Sequence, residues 1–282
     1  MRRALLSAGL LVASMLAAAC SRTPLNPNVA GWRMLPGHVE RFSEPSFRAG
    51  RRCWVYLPPS YTLSGDRYPV LYATDGESVF DDAGQLHVNR ICEDLIRSGE
   101  IRPIIVVAIE NASQDQRFWE LAPWHDDFFF DDGGGGDVFV RAIRDTLKPA
   151  IDRHFRTLPD PANTAITGVS LGGSFAAYAG IAYGGTFGNV AAFSPSYWLR
   201  SYYLEHVADS VGRAGAFRIR RYYQDTGTFH DNYIGGMDQV LVRYGFTPGA
   251  NYLSLTVPKA QHADGAWTHR YPTMLRFLFG RE

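Results

Sequence analysis

Along most of this chain, short apolar runs alternate with longer stretches in which apolar residues recur at helical spacing. Arg52 to Leu57 and Val70 to Ala73 read as strands, and Ile104 to Ile109 is an unbroken apolar run of the kind that a sheet buried on both faces requires. Phe139, Ala142, Ile143, Leu147 and Ile151 follow the period of a helix, which predicts one from Val138 to His154. The pattern continues as strand Ala165 to Val169, helix Leu171 to Tyr183, strands Val190 to Phe193, Phe217 to Tyr223 and Tyr252 to Val257, and a last helix from Trp267 to Phe279. Strands alternating with helices of this length imply an α/β fold, a mainly parallel central sheet with helices on both faces. Asp131 to Asp137 includes four consecutive glycines and reads as a mobile loop, because such a run neither nucleates a helix nor stiffens a strand.

The N-terminus departs from this pattern. Met1-Arg2-Arg3, an apolar run from Ala4 to Leu16, and Ala17-Ala18-Ala19-Cys20 form the charged, apolar and small-residue regions of an export signal, in a run too short to cross a bilayer comfortably. The Ala-Ala-Cys ending resembles a bacterial lipobox, in which Cys20 becomes the lipidated first residue of the mature chain. The alternative is ordinary secretion after an A-x-A site. Both readings export the protein, and the first anchors it to a membrane, facing the periplasm or the cell exterior. Residues 21–37 carry Pro24, Pro27 and Pro36 among polar residues and read as a tether, which leaves residues 38–282 as one domain. At 282 residues and 46% hydrophobic, the chain can bury one large core. Lys plus Arg and Asp plus Glu both count 28, so no basic field exists to hold a nucleic acid. Beyond Cys20 only Cys53 and Cys92 remain, able to pair in an oxidising compartment or to be buried as free thiols. Their spacing matches no metal site.

The candidate chemistry lies in Gly168-Val169-Ser170-Leu171-Gly172-Gly173, between an apolar strand and a helix rich in small residues. G-x-S-x-G in that setting forms a nucleophile elbow, a strained turn that lifts the serine Oγ above the sheet edge. A serine hydroxyl needs an adjacent base, itself oriented by a third group. His262 fits the base, in the loop Lys259 to Gly265 between the final strand and the last helix, whereas His269 falls within that helix. For the acid, the segment after the preceding strand offers Asp231, with Asp225 as the alternative and Asp238 behind both. Asp225 could instead bind loop amides at its strand end, and Asp231 could cap a helix near Asn232.

Five segments together resemble the esterase branch of the α/β hydrolases that includes enterochelin esterases, feruloyl esterases, S-formylglutathione hydrolase and mycobacterial mycolyltransferases. They are Tyr68-Pro69-Val70-Leu71-Tyr72-Ala73-Thr74-Asp75-Gly76-Glu77, Arg117-Phe118-Trp119-Glu120-Leu121-Ala122-Pro123, the elbow, Ala192-Phe193-Ser194-Pro195-Ser196, and His262 followed by Trp267. The resemblance spans about residues 38 to 280 and implies the α/β-hydrolase fold, with the backbone N–H groups of Glu77 and Leu171 as oxyanion hole. Where feruloyl esterases of this type carry G-T-x-D, this chain has one residue more, Gly227-Thr228-Phe229-His230-Asp231. Arg117 and Glu120 are expected to form a structural ion pair that positions a loop.

The expected activity is hydrolysis of a small-molecule carboxylic ester through an acyl-enzyme on Ser170, which needs no metal or organic cofactor. Transfer to a sugar or lipid hydroxyl, or a non-catalytic binding lipoprotein with the same fold, are the alternatives. Aromatic residues make up 13% of the chain, and Phe118, Trp119, Trp124, Phe128, Phe129, Phe130, Tyr197 and Trp198 fall on segments expected at the sheet's carboxyl edge. There Trp198 and Trp124 would contact an aromatic acyl group, with Arg200 near an anionic or catecholate one.

Overall fold

A computed structural model describes residues 37–80, 85–125, 134–200, 202–229 and 231–281. The signal and Cys20, residues 21–36 of the tether, Phe128 to Phe130 and Asp131 to Gly133 lie outside the described residues. No helix among the described residues is long and apolar enough to cross a membrane.

Among the described residues, eight strands form one sheet: β1 (His38–Ser43), β2 (Arg52–Leu57), β3 (Val70–Ala73), β4 (Ile105–Ile109), β5 (Thr164–Val169), β6 (Asn189–Phe193), β7 (Arg221–Gly227) and β8 (Tyr252–Val257). Their spatial order is β1-β2-β4-β3-β5-β6-β7-β8. The pairings of β2 with β1 and with β4 are antiparallel, and every other pairing is parallel. This is the α/β-hydrolase arrangement. Every residue of β3, β4, β5 and β6 is buried, which accounts for their largely apolar character.

The helices are α1 (Val88–Arg97), α2 (Gln114–Leu121), α3 (Gly136–Ala142), α4 (Lys148–His154), α5 (Leu171–Tyr183), α6 (Tyr203–Arg213), α7 (Gly235–Arg243) and α8 (Asp264–Phe279). One face of the sheet packs on α1 and α8 through Val88, Leu95, Ile96, Met274 and Leu275. The other packs on α2 to α7, with Phe139, Ile143, Ile151, Phe175 and Met237 in its core. Cys53 belongs to the second core and Cys92 to the first, so the sheet stands between the two thiols, both buried and free.

Three expectations change in detail. The helix predicted from Val138 begins at Gly136 and contains a π-helical turn at Ile143–Leu147 between α3 and α4. Gly136 and Asp137 therefore leave the glycine loop, and Asp137 accepts hydrogen bonds from Tyr178 and Tyr183 of α5. Those bonds and the pairing with Arg141 give the helix start an anchor that glycine cannot supply. The strand predicted at Phe217 to Tyr223 lies at Arg221–Gly227. Phe217 packs instead on Tyr244 and Phe246, and the strand's polar half is buried because its side chains find partners.

Candidate active site

Ser170, Ser194, Asp231 and His262 follow the carboxyl ends of β5, β6, β7 and β8, four consecutive strands of the sheet. The topology thus gathers residues spread over nearly a hundred positions at one edge, where open α/β sheets bind ligands.

The elbow is a backbone device. Ser170 sits at φ 57° and ψ −121°, a conformation that a non-glycine residue adopts only when its surroundings impose it, at a cost of roughly 1–3 kcal/mol. Small residues on either side make the turn possible. A Cβ on Gly168 would lie 2.4 Å from the Gly172 backbone, and one on Gly172 would lie 2.4 Å from Thr74 Oγ1. Gly173 is excluded from larger side chains by the Phe193 carbonyl at 2.8 Å. Among the described residues, the Ser170 hydroxyl makes no hydrogen bond.

Asp231, not Asp225, faces the imidazole: His262 Nδ1 lies 2.9 Å from Asp231 Oδ1. The same oxygen accepts from the Asn232 N–H at 2.8 Å, and Oδ2 accepts from the Gly227 N–H at 2.7 Å and from Ser194 Oγ at 2.8 Å. Burial pushes this carboxyl's pKa up, but the donors, His262 foremost, outweigh it and hold the pKa below the usual aspartate value. An ionised carboxylate only accepts, so His262 Nδ1 carries a proton, and in the neutral imidazole the lone pair is on Nε2. The Trp267 ring packs edge-to-face on the imidazole at 4.9 Å.

Asp225 is the residue behind. Its carboxylate lies 2.9 Å from Arg270 Nη1 and accepts from Tyr223 at 2.6 Å, and complete burial raises its pKa to about 6 against the pull of Arg270. Asp238 belongs elsewhere, accepting from Gln224 at 2.6 Å and from Tyr252.

The loop expected to bear the second oxyanion donor is built around Asp75-Gly76-Glu77. Asp75 adopts the left-handed conformation at φ 56°, which aspartate tolerates better than most residues, and a Cβ on Gly76 would meet the backbone of Ala108 and Ile109 within 2.7 Å. Arg117 grips Asp75 through Nε at 2.5 Å and Nη2 at 3.1 Å. Asn111 Nδ2 donates to Asp75 and to Glu77, both at 2.6 Å, and its N–H reaches the second Glu77 oxygen at 3.1 Å. The Glu77 side chain is thereby turned away as a tie, leaving its N–H as the candidate donor. Leu171 opens α5, so its N–H has no carbonyl one turn back to bond. The expected Arg117–Glu120 pair does not form. Glu120 is fully buried and is taken by Arg48 at 2.8 Å and Arg51 at 2.5 Å, while Arg117 has the buried Asp75 within reach.

Of the expected substrate contacts, Trp198 is 42% exposed and its indole N–H donates to Asn232, the neighbour of Asp231, at 2.9 Å. Arg200 is exposed on the same segment. Trp124 does not fit that role: it is 4% exposed, packed in the core beside Tyr203 at 5.8 Å. Two site residues escaped the sequence reading, Ser194 as a partner of Asp231 and Arg270. The second did leave a signal, because it falls on the buried register of α8 with Trp267, Tyr271, Met274 and Leu278. A charged residue on an apolar helical face calls for a buried partner of opposite sign.

The fold has many solved counterparts. One is an IroE-like serine hydrolase from Shewanella oneidensis, with TM-score 0.69, 20% identity and coverage of 86% of this chain and 80% of that one. Another is the enterobactin esterase FES from Shigella flexneri, solved in the presence of enterobactin, with TM-score 0.67, 22% identity and coverage of 90% and 62%. The uncharacterized protein YbbA of Bacillus subtilis (strain 168) is 30% identical over 165 residues, 57% of this chain and 61% of its own length, so this chain matches less than two thirds of that relative. At such identities the solved structures establish the fold, and the family follows from a separate match: residues 46–276 carry the pattern described as Putative esterase, and the chain belongs to that family.

Proposed function

We propose that this protein is an exported serine carboxylic-ester hydrolase that works through an acyl-enzyme on Ser170. The observation that carries the reading is the 2.9 Å contact between Asp231 and His262 Nδ1, at the same sheet edge as a serine held at φ 57° and ψ −121°. In the mechanism, His262 Nε2 takes the Ser170 proton as Oγ attacks the ester carbonyl. The N–H groups of Glu77 and Leu171 stabilise the oxyanion, and His262 returns its proton to the departing alcohol. Water, deprotonated by the same imidazole, then releases the acid. Asp231 fixes the tautomer and stabilises the imidazolium that forms at each step. Hydrogen bonds between nucleophile and base often tighten only once substrate is bound. The chemistry requires no metal and no organic cofactor.

For the substrate we favour esters with aromatic acyl groups. Trp198, Tyr202, Phe229 and Tyr233 are exposed on the segments after β6 and β7, which also carry the acid, and the Asn232–Trp198 bond joins the two. An FES structure solved with 2,3-dihydroxy-N-benzoyl-serine lends the same support by analogy. Export and a lipid anchor on Cys20 are proposed from the first twenty residues alone.

Ser170→Ala is expected to abolish turnover of p-nitrophenyl esters and labelling by a fluorophosphonate while leaving Tm near that of the parent. Retained turnover in the folded variant would overturn the reading. A panel of acetyl, butyryl, octanoyl, feruloyl and dihydroxybenzoyl esters tests the substrate class, and superior kcat/KM for acetyl or octanoyl esters would remove the aromatic proposal alone.

A further inference from the structure

Ser194 lies at the end of β6 and has no part in the steps above, yet every hydrogen-bonding position of its hydroxyl is occupied. Trp267 Nε1 reaches Ser194 Oγ at 2.9 Å and Arg270 Nη2 reaches it at 3.0 Å, while Ser194 Oγ lies 2.8 Å from Asp231 Oδ2. A serine hydroxyl offers one proton and two lone pairs. An indole N–H and a guanidinium can only donate, so they fill both lone pairs, and the proton has one place left to go. The hydroxyl is therefore a committed donor to Asp231, with no alternative rotamer that satisfies all three neighbours.

We propose that Ser194 is a positioning residue of the ester-hydrolysing site, fixed by Trp267 and Arg270 so that its hydroxyl holds the Asp231 carboxylate in the orientation that serves His262. The proposal rests on the serine-esterase reading above. Its geometry is reciprocal. Each carboxylate oxygen of Asp231 receives two donors, His262 and the Asn232 N–H on Oδ1, Ser194 and the Gly227 N–H on Oδ2. Rotating the carboxylate away from the imidazole would break both pairs.

The supports of Ser194 are themselves anchored. Asp225 accepts the Ser194 N–H through its carbonyl at 2.9 Å and its Oδ1 at 3.2 Å, and the Ser194 carbonyl accepts from Asn232 Nδ2 at 2.6 Å. These bonds maintain a backbone φ of 42° that serine would not choose. Arg270, 5% exposed, is held by Asp225 at 2.9 Å and by the Ala266 carbonyl at 3.2 Å. Asp225, the discarded candidate for the acid, thus acts at one remove, through Arg270 and Ser194.

The test is a double-mutant cycle in the full chain, read as kcat and KM for p-nitrophenyl butyrate. Ser194→Ala is expected to lower kcat about tenfold with KM within twofold of the parent. In an Asp231→Asn background the same change is expected to alter kcat by less than twofold, because the carboxylate it positions is gone. Ser194→Gly suits the positive φ and removes the same hydroxyl, so it serves in the same cycle if the alanine variant does not fold. An equal loss in both backgrounds, or no loss in the parent, overturns the proposal while Ser170→Ala inactivity leaves the esterase reading standing. Turnover surviving Ser170→Ala overturns both.

Discussion

The turn at Ser170 and the Asp231–His262 contact meet at one edge of the sheet, but they are held there by different forces. Around Ser170 the constraint is repulsive: Gly168 and Gly172 are in backbone contact, and no larger side chain fits between them or against Thr74. Around Asp231 the constraint is attractive and almost wholly polar, four donors on one carboxylate and a guanidinium behind them. Steric constraints are short in sequence, since a strand, a turn and a helix supply all the atoms. The polar lattice draws on β6, β7, the loop after β8 and α8, so it exists only once the whole carboxyl-terminal half has packed. A change at the glycines of the first region should damage fold and activity together, and a change in the second should separate them.

The sharpest separation is expected for Asp231→Asn. The amide cannot accept from all four donors and favours the wrong imidazole tautomer, so kcat should fall by roughly 10³–10⁴. Its Tm, followed by circular dichroism, should move less than that of a variant at an elbow glycine. Gly168→Ala is the converse. Its methyl would meet backbone atoms that cannot yield, so a loss of about 1–3 kcal/mol and at least a hundredfold drop in kcat/KM are expected together. Full activity in a destabilised Gly168→Ala protein would break the contrast.

Glu205 supplies the smallest effect and the clearest control, a carboxyl buried without a lattice. It is 8% exposed, neither oxygen has a hydrogen-bond partner among the described residues, and burial raises its pKa to about 7. Asp231, buried but surrounded by donors, moves the other way. Between the ordinary glutamate value of 4.5 and about 7, the folded protein keeps a proton that the unfolded chain has lost, so stability declines as pH rises through that window. Glu205→Gln carries no such charge. Its Tm relative to the parent should therefore increase from pH 5 to pH 8, by about 2–4 °C for each kcal/mol involved. Parallel Tm curves would show that the Glu205 carboxyl is solvated in the native protein.

The same contrast explains what could be read from the sequence. The buried strands, α5 and the elbow are written locally, as unbroken apolar runs and as glycines spaced around a serine. His262 is legible because it follows the last strand and precedes the last helix. The partner of His262 is not, since Asp225 near the end of β7 and Asp231 just after it are both near that edge, and Arg270, about forty residues later, is what draws Asp225 away. The register of β7 was obscured by the same chemistry: Gln224 and Asp225 look like loop residues until Tyr252, Asp238, Tyr223 and Arg270 provide their partners. Arg117 and Glu120 show the limit of reading a pair from two charges in one short segment, because each meets a buried charge from a distant segment instead.

The central sheet also acts as a partition between the chain's two internal thiols. Cys53 and Cys92 lie on opposite sides of it, and burial pushes Cys53 up to about 12 and Cys92 further still. At neutral pH neither supplies an appreciable amount of thiolate, the species that attacks disulfides and oxidants. Native architecture in this domain is consequently indifferent to glutathione poise. Native protein incubated with dithiothreitol and native protein incubated under air should have the same Tm and the same turnover.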